Sequence, residues 1–241
     1  MIRLPLDRSA LLAEALGRFR DRRDIAQALA RLGPNESELA ACIGAATDCV
    51  QRLANPGGAV ICVRLRELGS GLDIESFVDP AHPDARGFVY LLTAGYDSRD
   101  AMAWLDGDYT SYHLQNSIAR ELVFALGRHV SRWLRAERPD WHFARRVLRG
   151  DAGCTAGVDH QRISSRVAPL LSWFGGCTLG VGTTSSGELV PLHSVLGVML
   201  GKRARAVAHA AHQTAAAPQT ATGSRRPTRT DQSMQTVTRR G

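Results

Sequence analysis

Apolar side chains recur at three- and four-residue intervals in four stretches of the chain, and each stripe predicts a helix. The first covers residues 8–32, with Ile25, Ala28, Leu29 and Leu32 on one face, a break near Arg22 and Arg23, and Gly33-Pro34 as its stop. The second runs from about residue 37 to 54. Leu39, Cys42, Ile43, Ala46, Cys49, Val50 and Leu53 share its buried stripe, so Cys42 and Cys49 read as small core residues rather than ligands or redox partners. The longest helix, from about 111 to 136, is an i+4 ladder of Leu114, Ile118, Leu122, Leu126 and Val130, closed by Trp133 and Leu134. His113 and His129 lie near its polar boundary. The fourth starts at Asp159 as N-cap and carries Ile163, Val167, Leu170, Leu171 and Phe174, with Pro169 expected to kink it.

Other stretches change to a period of two or to short apolar runs. Residues 59–68 (AVICVRLREL) begin apolar and then alternate, Val63 and Leu65 against Arg64 and Arg66, as a strand with one wet face does. Gly69-Ser70-Gly71 and the run 72–78 suggest a turn and a return strand, hence a hairpin. FVYLL at 88–92, between Gly87 and Thr93-Ala94-Gly95, reads as a buried central strand. Residues 177–181 and 188–190 read as two strands around the turn 182–187, and 194–200 as a further apolar strand. Asp97, Asp100, Asp106 and Asp108 lack the spacing of a calcium loop and are better explained as helix caps and solvated acids. With no regular strand-helix-strand repeat, the pattern predicts an α+β fold, a mainly antiparallel sheet flanked by helices.

Charge divides the 241-residue chain in two. Its net +7 comes entirely from residues 202–241, which hold eight basic residues and one acid, Asp231, while residues 1–201 are neutral. Those forty residues are rich in Ala, Thr, Arg and Gln and poor in large apolar side chains, so burial cannot offset their ordering entropy. A single α+β domain over 1–201 and a disordered basic tail are therefore expected. A neutral body argues against a folded nucleic-acid-binding surface, because phosphate affinity needs clustered cations. Five cysteines without a CxxC pair, the start MIRLPLDRSALL and the lack of an apolar run of about 20 residues point to a reduced, cytoplasmic protein without a membrane span.

The chain lacks GxSxG, HExxH, a P-loop and a strand-borne GxGxxG, so no nucleophile-base set can be read out. What remains is RGDAGCTAG at 149–157. Arg149 stands four residues before Gly153, pairing a planar guanidinium fork with a glycine that lets backbone approach a ligand closely. That combination suits a small, polar, partly anionic ligand. Cys154 sits in the same glycine turn, next to Arg149 and Asp151. It becomes a reactive thiolate if those neighbours lower its pKa, with His193 and His160 as bases if folding brings them close. The alternative is a small residue filling a turn.

The order of these pieces resembles the activation (reactivation) domain of cobalamin-dependent methionine synthase and its shorter free-standing relatives. In that family an arginine precedes a Pro-Gly-Tyr turn. A helix, a Thr-Glu-Ser element, a proline and a Ser-Val-Ser-Gly strand follow. Here Arg149 and Gly153 match, with Ala152 in place of the proline and Cys154 in place of the tyrosine. The helix is 159–174, Thr184-Ser185-Ser186 stands for Thr-Glu-Ser, Pro191 fits, and Ser194-Val195-Leu196-Gly197 is similar to the last motif. Upstream, FVYLLTAGYDSRDAMAW and SYHLQNSIARELVFAL look like the family's strand, Thr-Ala-Gly turn and helix. The similarity spans roughly residues 20–200.

The resemblance implies a twisted antiparallel sheet and a site for S-adenosylmethionine formed by Arg149, Ala152, Gly153, Cys154, Thr184 and Ser186. Arg149 would pair the methionine carboxylate, and backbone around 152–154 would meet the adenosine. It implies as partners a corrinoid-binding protein or cobalamin-dependent methyltransferase, whose inactive cob(II)alamin is reductively methylated with an electron from a separate donor. Cobalamin would be met only through that partner, since the Asp-x-His-x-x-Gly corrinoid motif does not occur in this chain. Cobalt then does the hard chemistry, which agrees with the missing acid–base dyad. Two other readings remain open: a docking module of the same fold that has lost the cofactor, and a basic tail that acts as a salt-sensitive arm.

Overall fold

A computed structural model describes residues 1–23, 25, 27, 36–68, 85–149, 167–175 and 179–203. The fold is α+β. Five antiparallel strands form one sheet in the order β1-β2-β3-β7-β4, with β1 at Ile2–Arg3, β2 at Gly57–Arg64, β3 at Arg86–Thr93, β4 at Trp141–Arg149 and β7 at Ser194–Arg203. Two short strands, β5 (Gly182–Thr183) and β6 (Leu189–Val190), pair separately as a hairpin.

Helix α1 (Arg8–Asp21) begins where the Asp7 carboxylate accepts the Ala10 N–H at 3.0 Å. It ends where Arg22 turns extended, the break expected near that arginine pair. Helix α2 (Glu36–Leu53) buries Ala46, Cys49 and Val50, and Cys42 is half-buried on the same stripe. The aspartates at 97 and 108 are caps: Asp97 accepts from the Arg99 N–H at the start of α3 (Ser98–Trp104), and Asp108 from the Thr110 N–H at the start of α4 (Tyr109–Glu137). Asp108 also takes the Ser111 hydroxyl, which holds its carboxyl below the usual carboxylate range.

The sheet is covered on both faces, and the alternation of its strands sorts side chains between two cores. On one face Val60, Phe88, Tyr90, Leu92, Val195 and Met199 pack with α1, α2 and α4. On the other, Ala59, Val89, Leu91, Leu196, Val198 and Leu200 pack with Val167, Leu170 and Phe174 of a helical segment at 167–172 and the turn after it. Leu65, Leu68 and Leu189 complete that second layer. Double cover explains why β3 reads as a continuous apolar run: it is the middle strand, buried from Gly87 to Thr93.

Three details depart from the sequence reading, and a fourth falls outside the described residues. Strand β2 stops at Arg64, where a 3-10 turn (Leu65–Leu68) tucks Leu65 and Leu68 inward and Glu67 accepts the Arg64 N–H at 3.0 Å. The described partner of β2 on its inner side is β3, in register from Gly57↔Thr93 to Arg64↔Arg86; the return strand read at 72–78 lies outside the described residues. The hairpin strand starts at Gly182: Gly180 takes φ +67°, which keeps 179–181 from being extended, while residues 177 and 178 of the strand read at 177–181 lie outside the described residues. Finally, β7 continues through Lys202 and Arg203, residues that composition assigns to the tail. Their backbones are laddered to His142 and Trp141, and Arg203 Nε meets Asp140 Oδ2 at 2.7 Å.

Candidate functional site

The sheet ends that matter are the last residues of β3 and the first of β7. They lie side by side, Thr93 opposite Ser194. The Ser194 hydroxyl donates to Thr93 Oγ1 at 3.0 Å, and the same oxygen accepts the Gly95 N–H at 3.0 Å. Ala94 N–H donates to the His193 carbonyl at 2.8 Å, and Asn55 N–H to the Ala94 carbonyl at 3.0 Å. Gly95 has φ +79°, and a Cβ there would lie 2.0 Å from the Asn55 carbonyl oxygen, so the Thr93-Ala94-Gly95 turn admits no side chain at its third position.

A buried polar chain continues from this turn into α4. The Tyr96 hydroxyl donates to Gln115 Oε1 at 2.6 Å, and Gln115 Nε2 donates to Asn116 Oδ1 at 2.8 Å. His193 Nε2 stands 2.9 Å from that same Asn116 oxygen. An amide oxygen accepts, so His193 meets it with Nε2 carrying the proton. Burial, and then the neighbouring Cys49 and Tyr112, push the Tyr96 hydroxyl far above its ordinary value, so it remains a neutral donor. Thr93, Gln115, His193 and Ser194 are all buried. Such groups are costly inside a protein unless paired, and here they pair with one another.

The residues read from sequence fall in two places. Arg149 ends β4, opposite Leu196 of β7, after a bulge between Val147 and Arg149. Ala152, Gly153 and Cys154 lie outside the described residues, as does His160. Thr184 and Ser186 occupy the exposed turn of the β5–β6 hairpin, where their hydroxyl oxygens are 2.7 Å apart. Thr184 also closes the turn: its Oγ1 accepts the Glu188 N–H at 3.1 Å and its carbonyl accepts the Gly187 N–H at 3.0 Å. Strand pairing thus brings Arg149 beside the Ser194-Val195-Leu196-Gly197 motif, and residues 191–193 join that motif to the hairpin.

His193, considered as a base for Cys154, is found in the polar chain with Asn116, and Cys154 itself lies outside the described residues. His113 is exposed with its ring edge-on to Tyr109, 4.2 Å between centroids, and His129 is half-buried, so both sit at the helix boundary as expected. Sequence reasoning missed Gln115, Asn116 and Tyr96. A signal was present: continuing the α4 stripe backward from Leu122 and Ile118 at helical period reaches Gln115 and Ser111, polar residues on the buried face. Among the described residues, no three His, Cys, Asp or Glu side chains converge to hold a metal ion, and no helix is long and apolar enough to cross a membrane. No family model matches the chain, and no curated protein matches it.

Proposed function

We propose that this chain is an S-adenosylmethionine-binding factor of the methionine synthase activation-domain type. It supports reductive remethylation of a separate corrinoid protein or cobalamin-dependent methyltransferase. The observation that carries the reading is adjacency. The stretch FVYLLTAG forms β3 and its turn, the Ser194-Val195-Leu196-Gly197 motif opens β7, and Arg149 ends β4. Three stretches that the resemblance draws from distant parts of the sequence are hydrogen-bonded neighbours. A cation at that strand end suits the methionine carboxylate. The turn at 184–186 adds exposed hydroxyls; Ser186 bonds Thr184 and retains capacity for a polar ligand.

When bound, S-adenosylmethionine would supply an electrophilic sulfonium methyl to the partner's corrinoid once an external donor has reduced that corrinoid by one electron, and S-adenosylhomocysteine would leave. The chain's own task is to hold and orient, which requires no acid–base pair. Calorimetric titration of S-adenosylmethionine into wild type and Arg149→Ala tests this. Saturable binding is expected in wild type, weakened by roughly 10- to 100-fold in the variant through loss of a charge-assisted pair. Equal affinity in the two proteins would remove Arg149 from the site. A flat wild-type titration would turn the reading to a docking module of the same fold that acts without the cofactor.

A further inference from the structure

The β5–β6 hairpin joins the sheet through residues 191–193, and its anchors differ in kind. Leu189 is buried in the second core, an apolar contact that fixes where the hairpin lies but not how it is turned. Its strand neighbour Val190 and the next leucine, Leu192, are exposed. His193 is 2 % exposed, and its ring Nε2–H is aimed at Asn116 Oδ1 on α4. A hydrogen bond is directional, so this contact restricts rotation of the segment leaving the hairpin. Asn116 is itself held in place by Gln115, and Gln115 by Tyr96. The His193 carbonyl, accepting from Ala94, locks the same residue to the end of β3.

We propose that His193 is a positioning residue. Through Asn116 it sets the orientation of the β5–β6 hairpin, and so of the Thr184 and Ser186 hydroxyls at its tip. The part of this inference that concerns ligand rests on the S-adenosylmethionine reading above; the part that concerns the hairpin does not. A purely structural role for the network would lower global stability and loosen all elements together. A positioning role loosens the hairpin selectively, and any side chain that returns an N–H to the Nε2 position restores it. Glutamine does so, because its Nε2 lies where the histidine Nε2 lies relative to the backbone.

Hydrogen exchange on the full chain separates these outcomes, comparing wild type with His193→Phe, His193→Gln and Asn116→Ala. The last removes the acceptor from a part-buried site and leaves the ring in place. In His193→Phe and Asn116→Ala, amides of 182–190 are expected to exchange about tenfold faster, with the α4 amides of 118–130 unchanged. His193→Gln is expected to exchange as wild type does. Unchanged hairpin exchange in both disrupting variants overturns the proposal, as does equal loosening of hairpin and α4, or a glutamine variant as open as the phenylalanine one. Titration of S-adenosylmethionine into the same proteins forms the second arm, with binding about tenfold weaker in His193→Phe and recovered in His193→Gln. If wild type fails to bind, the ligand reading falls while the exchange result still decides the role of His193.

Discussion

Replacing Gly197 by alanine probes how tightly the two central strands fit. Gly197 stands directly across from Tyr90 on β3, and the tyrosine ring lies over it. A Cβ at position 197 would lie 2.2 Å from Tyr90 Cζ and Oη and 2.6 Å from Cε2, where ordinary contacts begin at 3.4 Å. The ring would have to retreat by more than 1 Å, and a gap of about 1 Å opened on its far side already forfeits roughly half of a packing contact. It has little room to do so, being fully buried among the side chains of the first core. Overpacking of this kind costs about 3 kcal/mol. In a chain of this size that corresponds to a melting temperature lower by about 6–12 °C. Urea unfolding followed by circular dichroism measures the cost, and a cycle with Tyr90→Leu assigns it. With the ring gone, Gly197→Ala should cost less than about 1 kcal/mol, leaving a coupling of about 2 kcal/mol. An alanine variant within about 0.5 kcal/mol of wild type, or one equally costly in both backgrounds, would refute the argument. Confirmation would account for the motif's glycine by strand packing, without a ligand.

Two further predictions concern ionisable groups. Burial would raise the Glu14 carboxyl, but hydrogen bonds and charge from Arg128 at 2.6 Å and Arg132 at 3.1 Å outweigh it and hold the group below its ordinary value. Its folded pKa being the lower one, Glu14 contributes stability that is present above the unfolded value, near pH 4.5, and lost as pH falls through the folded value. Glu14→Gln should cost about 1–2 kcal/mol at pH 7 and progressively less toward pH 3, read from urea midpoints; a pH-independent cost would contradict the ion-pair account. Cys49 is fully buried and its thiol is pushed up to about 11, whereas Cys62 is exposed, its thiol also raised by desolvation but with Arg138 and Arg86 opposing the shift. Iodoacetamide at pH 8, followed by mass spectrometry, should label Cys62 in the native protein and Cys49 only after denaturation; native labelling of Cys49 would place α2 wrongly.

Local chemistry made much of this fold readable from the sequence. Asp97 and Asp108 cap helices because each is a short acceptor one residue before a helical stripe, and that is visible without a structure. The same holds for FVYLL as central strand and for the break after α1. What could not be read depends on residues that meet only through the sheet. Nothing near His193 in sequence announces Asn116, seventy-seven residues away, and nothing near Thr93 announces Ser194. Arg149 was picked out by its glycine-rich sequel, yet its pairing with Leu196 follows from strand order, which composition does not encode. The end of β2 was misread because LREL alternates like a strand, while the Arg64–Glu67 contact, three residues apart, favours a turn.

The arrangement of β3 and β7 at the middle of the sheet bears on how the chain folds during synthesis. Their partners are about a hundred residues apart, so closing that pair carries a large loop entropy and belongs late in folding. Helices α1, α2 and α4 can gather on β2 and β3 as soon as residue 137 has emerged. Until residues 194–203 follow, β3 keeps a bare edge of valine, leucine and tyrosine, the kind of surface that recruits another chain. The nascent protein is therefore most exposed to aggregation between making α4 and making β7. Slowing synthesis in that interval should lower the soluble yield more than slowing it anywhere before α4.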